Sequence, residues 1–288
     1  MIEMTSAGRK LIDAPMDDSD DEDVGFIPAG YIAPPAIRDI PVTDVFACLR
    51  QGISDFRRAT SYGLLFSSVY VFGGLGLVAA LLIDRQEYLI FPVIAGFLLI
   101  GPITAVGLYD ISRRLEAGEP LLLRPILLSF MRHGGTQLLL FGCVLVFAMV
   151  VWLKAAGVIY AIAFGLSPMP ISELLTRALN SPRVMAFLLA GNAVGAMLAT
   201  LVFAISVVAV PYLLDKDTDF MTALTTSLRA VIHNPVTMLI WSATISFLAF
   251  ISVMTGFIGF FVTLPVVGHA TWHLYRRVVI HPEINDAP

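Results

Sequence analysis

A chain of 288 residues that is 57% apolar and 14% charged, with a mean hydropathy of +0.83, lies outside the soluble globular range, in which about a quarter of residues are charged. The formal charge of −4 is unevenly spread: residues 1–37 carry eight acids against Arg9 and Lys10, leaving 16 of the 18 basic and 14 of the 22 acidic residues for the rest. That apolar, mildly basic body excludes a nucleic-acid binder with a basic, aromatic-interleaved patch, and Cys48 and Cys143, the two cysteines, exclude a disulfide framework or a cysteine metal site.

The first 37 residues hold the run Asp17, Asp18, Asp20, Asp21, Glu22 and Asp23, then Pro28, Pro34 and Pro35. Such a stretch buries too little apolar surface to offset its ordering entropy, so a disordered acidic tail is expected over 1–37, solvated or held by a partner. It lacks the basic, apolar and cleavage regions of a secretory signal, and neither end shows a lipidation motif. The first span is therefore expected to act as an uncleaved insertion signal.

Residues 44–58 (DVFACLRQGISDFRR) form the first expected surface helix, and the run 62–83 follows it without Asp, Glu, Lys or Arg. At 1.5 Å per residue a run of that length crosses a hydrocarbon layer of roughly 30 Å. A brief loop, 84–88, leads to a second span over 89–109, with Pro102 near its exit. The order then repeats. A helix over 119–133 precedes a span over 136–158, and a long loop, 159–183, with Pro168, Pro170 and the interfacial run ISELLTRALN, leads to a span over 184–214 that carries Pro211. A third helix, 219–233, has Phe220, Leu224, Leu228 and Val231 on one face, and the spans 237–256 and 257–275 follow, the last with Pro265.

Aligning Asp44 with Asp219 sets Leu49 on Leu224, Ile53 on Leu228, Phe56 on Val231 and Arg58 on His233, and Leu128, Met131 and His133 take the last three of these positions in the middle copy. Proline removes a helical hydrogen bond, so kinks are expected at Pro102, Pro211 and Pro265. The implied fold class is all-α: a polytopic membrane helical bundle of six transmembrane helices in three hairpin-like repeats (about 44–110, 119–215 and 219–275), each preceded by a cytoplasmic amphipathic helix. Chance agreement among apolar segments is the alternative to a true repeat. The membrane domain spans 38–277 and a short tail, 278–288, ends the chain. Eleven basic residues lie near span ends on the side of the termini, against Arg85, Lys154, Arg177 and Arg183 on the other, which places both termini in the cytoplasm.

His269 and His273, four apart on one helical face, are the weak metal candidates, since two imidazoles alone make an incomplete site. With Trp272, Tyr275, Arg276 and Arg277 beside them, the competing expectation is an anchor at the headgroup level. Asn192 is the intramembrane polar candidate; with Gly191 and Gly195 in a Gly-x-x-x-Gly spacing, it is expected to face another helix closely or to line a substrate path. Lys154 is expected to snorkel outward from the end of the third span, and Asp110 and Asp215 to cap span exits or to gate an ion. Gly73, Gly74, Gly76, Gly256 and Gly259 are expected at close helix contacts. The sequence has no phosphate loop, no Ser-His-Asp elbow, no His-Glu-x-x-His and no carboxylate pair within a span, so no catalytic residue and no cofactor is expected.

Four stretches, GISDFRRATSYGLLF (52–66), GPITAVGLYDISRRLEAGEP (101–120), LVFAISVVAVPYLLD (201–215) and GHATWHLYRR (268–277), are similar to recurring blocks of a proteobacterial family of predicted integral membrane proteins of unknown function. The resemblance covers about 38–277, with Thr60 and Ser61 where members often have a proline. It implies a protein of the bacterial inner membrane and brings no catalytic residue; some members carry a cytochrome-oxidase-like label. The expected function is that of a non-enzymatic accessory, assembly or scaffolding factor in contact with the lipid bilayer and a membrane-protein partner, and not with nucleic acid. The alternatives are a transporter or lipid-handling protein, from kinked helices in repeated units, and a respiratory subunit, from the family label and the pair His269 and His273.

Overall fold

An apolar segment that crosses lipid must bond its own backbone, and each such run in this sequence closes into helix. The computed structural model describes residues 35–129, 135–165, 171–177 and 180–280. The acidic run and the rest of the expected tail up to residue 34, the chain from 281 onward, and Met131, His133, Pro168 and Pro170 lie outside them. The helices are α1 (Thr43–Arg58), α2 (Thr60–Ile83), α3 (Ile90–Leu99), α4 (Gly101–Thr104), α5 (Val106–Ala117), α6 (Leu123–Leu127), α7 (Gly135–Phe164), α8 (Ile171–Arg177), α9 (Pro182–Ser206), α10 (Ala209–Asp215), α11 (Phe220–His233), α12 (Pro235–Met254) and α13 (Phe260–Val278).

Among the described residues, four stretches are long and apolar enough to cross a membrane: Thr60–Ile83, Gly135–Phe164, Pro182–Asp215 and Pro235–Met254. The other two expected spans differ. The run 89–109 is divided among α3, α4 and α5, and the run 257–275 becomes helix only at Phe260, after a turn in which Gly256 (φ 63°) and Phe257 (φ 67°) are left-handed. Left-handed backbone costs a phenylalanine about 1–2 kcal/mol. Burial of the Phe257 ring over Gly74 offsets it: a Cβ on Gly74 would run into that ring.

The three prolines do not kink their helices alike. Pro102 opens α4, where its missing N–H has no partner to lose, and the Tyr70 hydroxyl donates to the Phe97 carbonyl beside the break (3.2 Å). Pro265 sits inside α13, which runs through it without a break. The gap between α9 and α10 falls before Pro211, and a side chain from α11 fills it. Ser227 Oγ donates to the Ala204 carbonyl (2.8 Å) and accepts from the Val208 N–H (3.1 Å), standing in for the direct i to i−4 bond. Ser227→Ala therefore leaves two buried backbone groups without this bridge, and a loss of about 1–3 kcal/mol is expected in unfolding of the detergent-solubilised protein.

On the expected repeat helices the buried positions are mostly the small residues. On α11 the buried positions are Thr222, Ala223, Thr226, Ser227 and Ala230, while Leu228 is 37% exposed. On α1 they are Val45, Cys48, Gly52 and Asp55, while Phe46 is 61% exposed. Close approach of helix backbones selects small residues, so the stripe of large ones turns away. In the Asp44–Asp219 alignment, Cys48, Gly52, Asp55 and Ala59 fall on Ala223, Ser227, Ala230 and Asn234, and all eight are buried.

Packing follows a cycle. The helices α5, α10 and α13 touch one another, and around them α1 lies on α13, α6 on α5, and α11 on α9 and α10. The two ends of the described chain meet: the Arg38 N–H donates to the Val278 carbonyl (2.8 Å) and the Ile280 N–H to the Ala36 carbonyl (3.0 Å). Asn234 holds the same segment, accepting from the Ile40 N–H (2.8 Å) and donating to the Arg38 carbonyl (3.1 Å). Hydrogen-bonded backbone is thus present at Ala36.

Candidate functional site

Gly52 is the point from which a buried polar cluster is built. A Cβ there would lie 2.5 Å from the Val266 carbonyl oxygen and 2.8 Å from the Ala270 nitrogen, so α1 rests on the bare backbone of α13. One turn later Asp55 reaches both α13 and α5. Its Oδ2 accepts from Ser112 Oγ (2.8 Å) and from His273 Nε2 (2.8 Å). Ser112 Oγ also lies 2.8 Å from His269 Nδ1. The single Ser112 proton goes to the carboxylate, which assigns the hydrogen of His269 to Nδ1 and leaves a lone pair on Nε2. That nitrogen is buried without a hydrogen-bond partner, and His269 is 0% exposed. Burial pushes the Asp55 carboxyl up, but the hydrogen bonds from His273 and Ser112 outweigh it and hold Asp55 below the usual carboxylate range.

This chemistry is hydrogen-bonding rather than nucleophilic. Ser112 accepts from His269 instead of giving up its proton to it, and its side chain is closed to any substrate at 0% exposure. Among the described residues no group of three His, Cys, Asp or Glu side chains is placed to hold a metal ion. The pair His269 and His273 is tied instead to a carboxylate from α1 and a hydroxyl from α5, with His269 fully buried.

Three further polar groups join the same helices. Asp110, 1% exposed, accepts from Arg113 Nε (3.0 Å) and from Arg114 Nε (2.8 Å), and Glu119 holds the other arms of both guanidiniums (3.2 and 3.1 Å). Gly118 makes this possible: its left-handed backbone (φ 67°) ends α5 and brings Glu119 back over the last turn. Asp215 accepts from the Tyr275 hydroxyl (2.7 Å) and lies 3.6 Å from Arg276 Nη1. Glu116 accepts from Trp272 Nε1 (2.9 Å) and Arg276 Nε (3.0 Å), and Arg277 pairs with Asp44 (2.6 Å) and Gln51 (3.0 Å).

The expected anchors Trp272, Tyr275, Arg276 and Arg277 thus join α13 to α5, α10 and α1, and the first two are buried. Asp110 and Asp215 serve as junctions within the chain. Lys154 is exposed but ten residues short of the end of α7, which runs on to Phe164. Asn192 is exposed and donates to the Leu188 carbonyl of its own helix (2.8 Å). Gly74 and Gly259 lie at close contacts as expected, whereas a Cβ on Gly76 or Gly256 would meet open space and one on Gly73 only ordinary contact. Asp55 and Ser112 were not expected. The available signal was that Asp55 continues the stripe of small residues Cys48, Gly52 and Ala59.

An all-helical bundle with four membrane-length apolar stretches and its polar side chains bonded to one another is an integral membrane protein. Residues 90–215, from α3 to α10, match the model of a family described as "Predicted integral membrane protein (DUF2189)". No curated protein and no solved structure matches the chain. The matched segment contains Asp110, Ser112, Arg113, Arg114 and Glu119, while Asp55, His269 and His273 lie outside it.

Proposed function

We propose that the protein is a non-enzymatic scaffold of the bacterial inner membrane, built as three hairpin units with six crossings and both termini in the cytoplasm. The observation that carries this reading is where the charges go. Asp55, Asp110, Glu116 and Asp215 each bond side chains of neighbouring or their own helices, so charge is used to hold the bundle together rather than to meet a solute. Three units are supported by the eight matching buried positions on α1 and α11 and by the cyclic placement of α1, α6 and α11, each on the end of the preceding unit. In this reading α3 to α5 form one broken crossing and α13 the sixth, and the excess of basic residues on the side of the termini sets the orientation.

The same helices turn mixed apolar and basic faces outward. On α1 these are Phe46, Arg50, Ile53 and Arg57, and on α11 Met221, Leu228, Arg229 and Ile232. Such faces suit the headgroup level or a partner's juxtamembrane surface. Reporter fusions at the two ends together with purification in mild detergent test the reading. Both ends are expected on the cytoplasmic side, with a stoichiometric membrane-protein partner retained. Ends in opposite compartments overturn the topology, and a protein that purifies alone from its native membrane overturns the scaffold.

A further inference from the structure

The contact between α1 and α13 is shut by two devices of different kinds. At Gly52 it is steric, backbone on backbone. One turn on it is a run of directed hydrogen bonds, from His269 Nδ1–H to Ser112 Oγ and from Ser112 to Asp55, with His273 Nε2–H joining Asp55 from the other side. Every donor in that run has an acceptor. The one atom left over is the Nε2 lone pair of His269.

Among the described residues the surroundings offer no second counter-charge. The spans α2 and α12, both packed on α13, contain no Asp, Glu, Lys, Arg or His. On α5, Asp110 is taken by Arg113 and Arg114, and Glu116 by Trp272 and Arg276. On α10, Asp215 is taken by Tyr275, with Arg276 and Lys216 close by. On α1, Asp44 is taken by Arg277, and Cys48, buried beside it, has its thiol pushed up by that burial. Among the described residues, Asp55 is the one carboxylate that faces both imidazoles.

We propose that Asp55, Ser112, His269 and His273 form a proton-binding site that latches α1 to α13, closed when His269 is neutral and opened by a proton taken up on its Nε2. The added proton creates an N–H at a nitrogen that has no hydrogen-bond partner in the closed site, the Leu108 carbonyl being the backbone acceptor that faces the same ring. It also creates a cation one helical turn from His273, with a single carboxylate to serve both rings. The cost is relieved when α1 lifts and water reaches the ring. His273, whose side chain is 15% exposed, is the edge by which solvent first reaches the cluster. No bond other than the N–H forms, and nothing is oxidised or reduced. The latch stands independently of the scaffold reading, because α1 packs on α13 whatever the partner is.

Separation of the histidine ring from its site in the opened state restores an ordinary imidazole, so opening binds the extra proton and is favoured as pH falls. The corresponding helix α11 supplies an internal control. It carries Ala230 where α1 carries Asp55, and its terminal His233 faces Asp39 across an exposed 3.0 Å pair. Hydrogen exchange of the full chain in lipid nanodiscs, corrected for the intrinsic effect of pH, reads both helices at once. Between about pH 7.5 and about pH 5, a range that brackets the ordinary imidazole value, amide protection in α1 is expected to fall roughly tenfold while that in α11 holds. His269→Gln, neutral at both values, is expected to abolish the fall. Equal protection of α1 at the two pH values, a fall shared by α11, or a fall that persists in His269→Gln overturns the proposal. Should that variant not fold, the comparison of α1 with α11 in the wild type decides it.

Discussion

Asp110→Ala is expected to cost about 3–5 kcal/mol, the usual cost of removing one partner from a buried ion pair. The carboxylate is 1% exposed and Arg114 is 8% exposed, so the guanidinium left behind cannot recover its hydration. Arg114 would keep one bond, from Nη1 to Glu119 Oε2 at 3.1 Å, but Glu119's side chain is 40% exposed and solvent screens it. Two variants separate the contributions. Asp110→Asn retains one acceptor oxygen and is expected to cost about half as much. Glu119→Ala removes only the screened arms and is expected to cost under about 1 kcal/mol. Denaturant unfolding in mixed micelles gives all three on one scale. If Asp110→Ala and Glu119→Ala cost the same, the buried carboxylate is not the centre of this group.

The apolar helices were legible because a run without charges that matches the hydrocarbon thickness can do little else. The expected runs 62–83 and 237–256 correspond to Thr60–Ile83 and Pro235–Met254 within two residues at each end. The breaks were less legible, since a proline reports a missing donor and not what replaces it. The gap before Pro211 depends on Ser227, 19 and 23 residues from the groups it bridges, and Pro265 breaks nothing. The buried stripe of α11 was hidden for a related reason. Counting large apolar residues identifies a face that meets oil, and in a membrane both the lipid and the protein qualify. The small face is what marks the closest protein contact. Asp55 and His273 are 218 residues apart, and no spacing rule reaches across that separation. Asn192 shows the converse: an amide that invites a partner is satisfied four residues back in its own helix.

Gly52→Ala is expected to cost about 3 kcal/mol or more, at the upper end of the usual range for overpacking. Most overpacked sites relax by swinging a side chain aside. Here the new methyl would meet the Val266 carbonyl oxygen at 2.5 Å and the Ala270 nitrogen at 2.8 Å, both backbone atoms of a helix that cannot yield locally. The relief available is for α1 to move off α13, and that draws Asp55 away from Ser112 and His273. Helix propensity pulls the other way by up to about 1 kcal/mol in favour of alanine, which makes Gly76→Ala the right control. Gly76 has open space around its Cβ position. The same substitution there is expected to leave stability unchanged or raise it by up to about 1 kcal/mol. A difference of several kcal/mol between two Gly→Ala changes in adjacent helices isolates contact from propensity. Measured by thermal unfolding in detergent, equal midpoints for the two variants would mean that α1 does not rest on the α13 backbone. In that case the polar cluster beyond Gly52 would lose the contact that positions it.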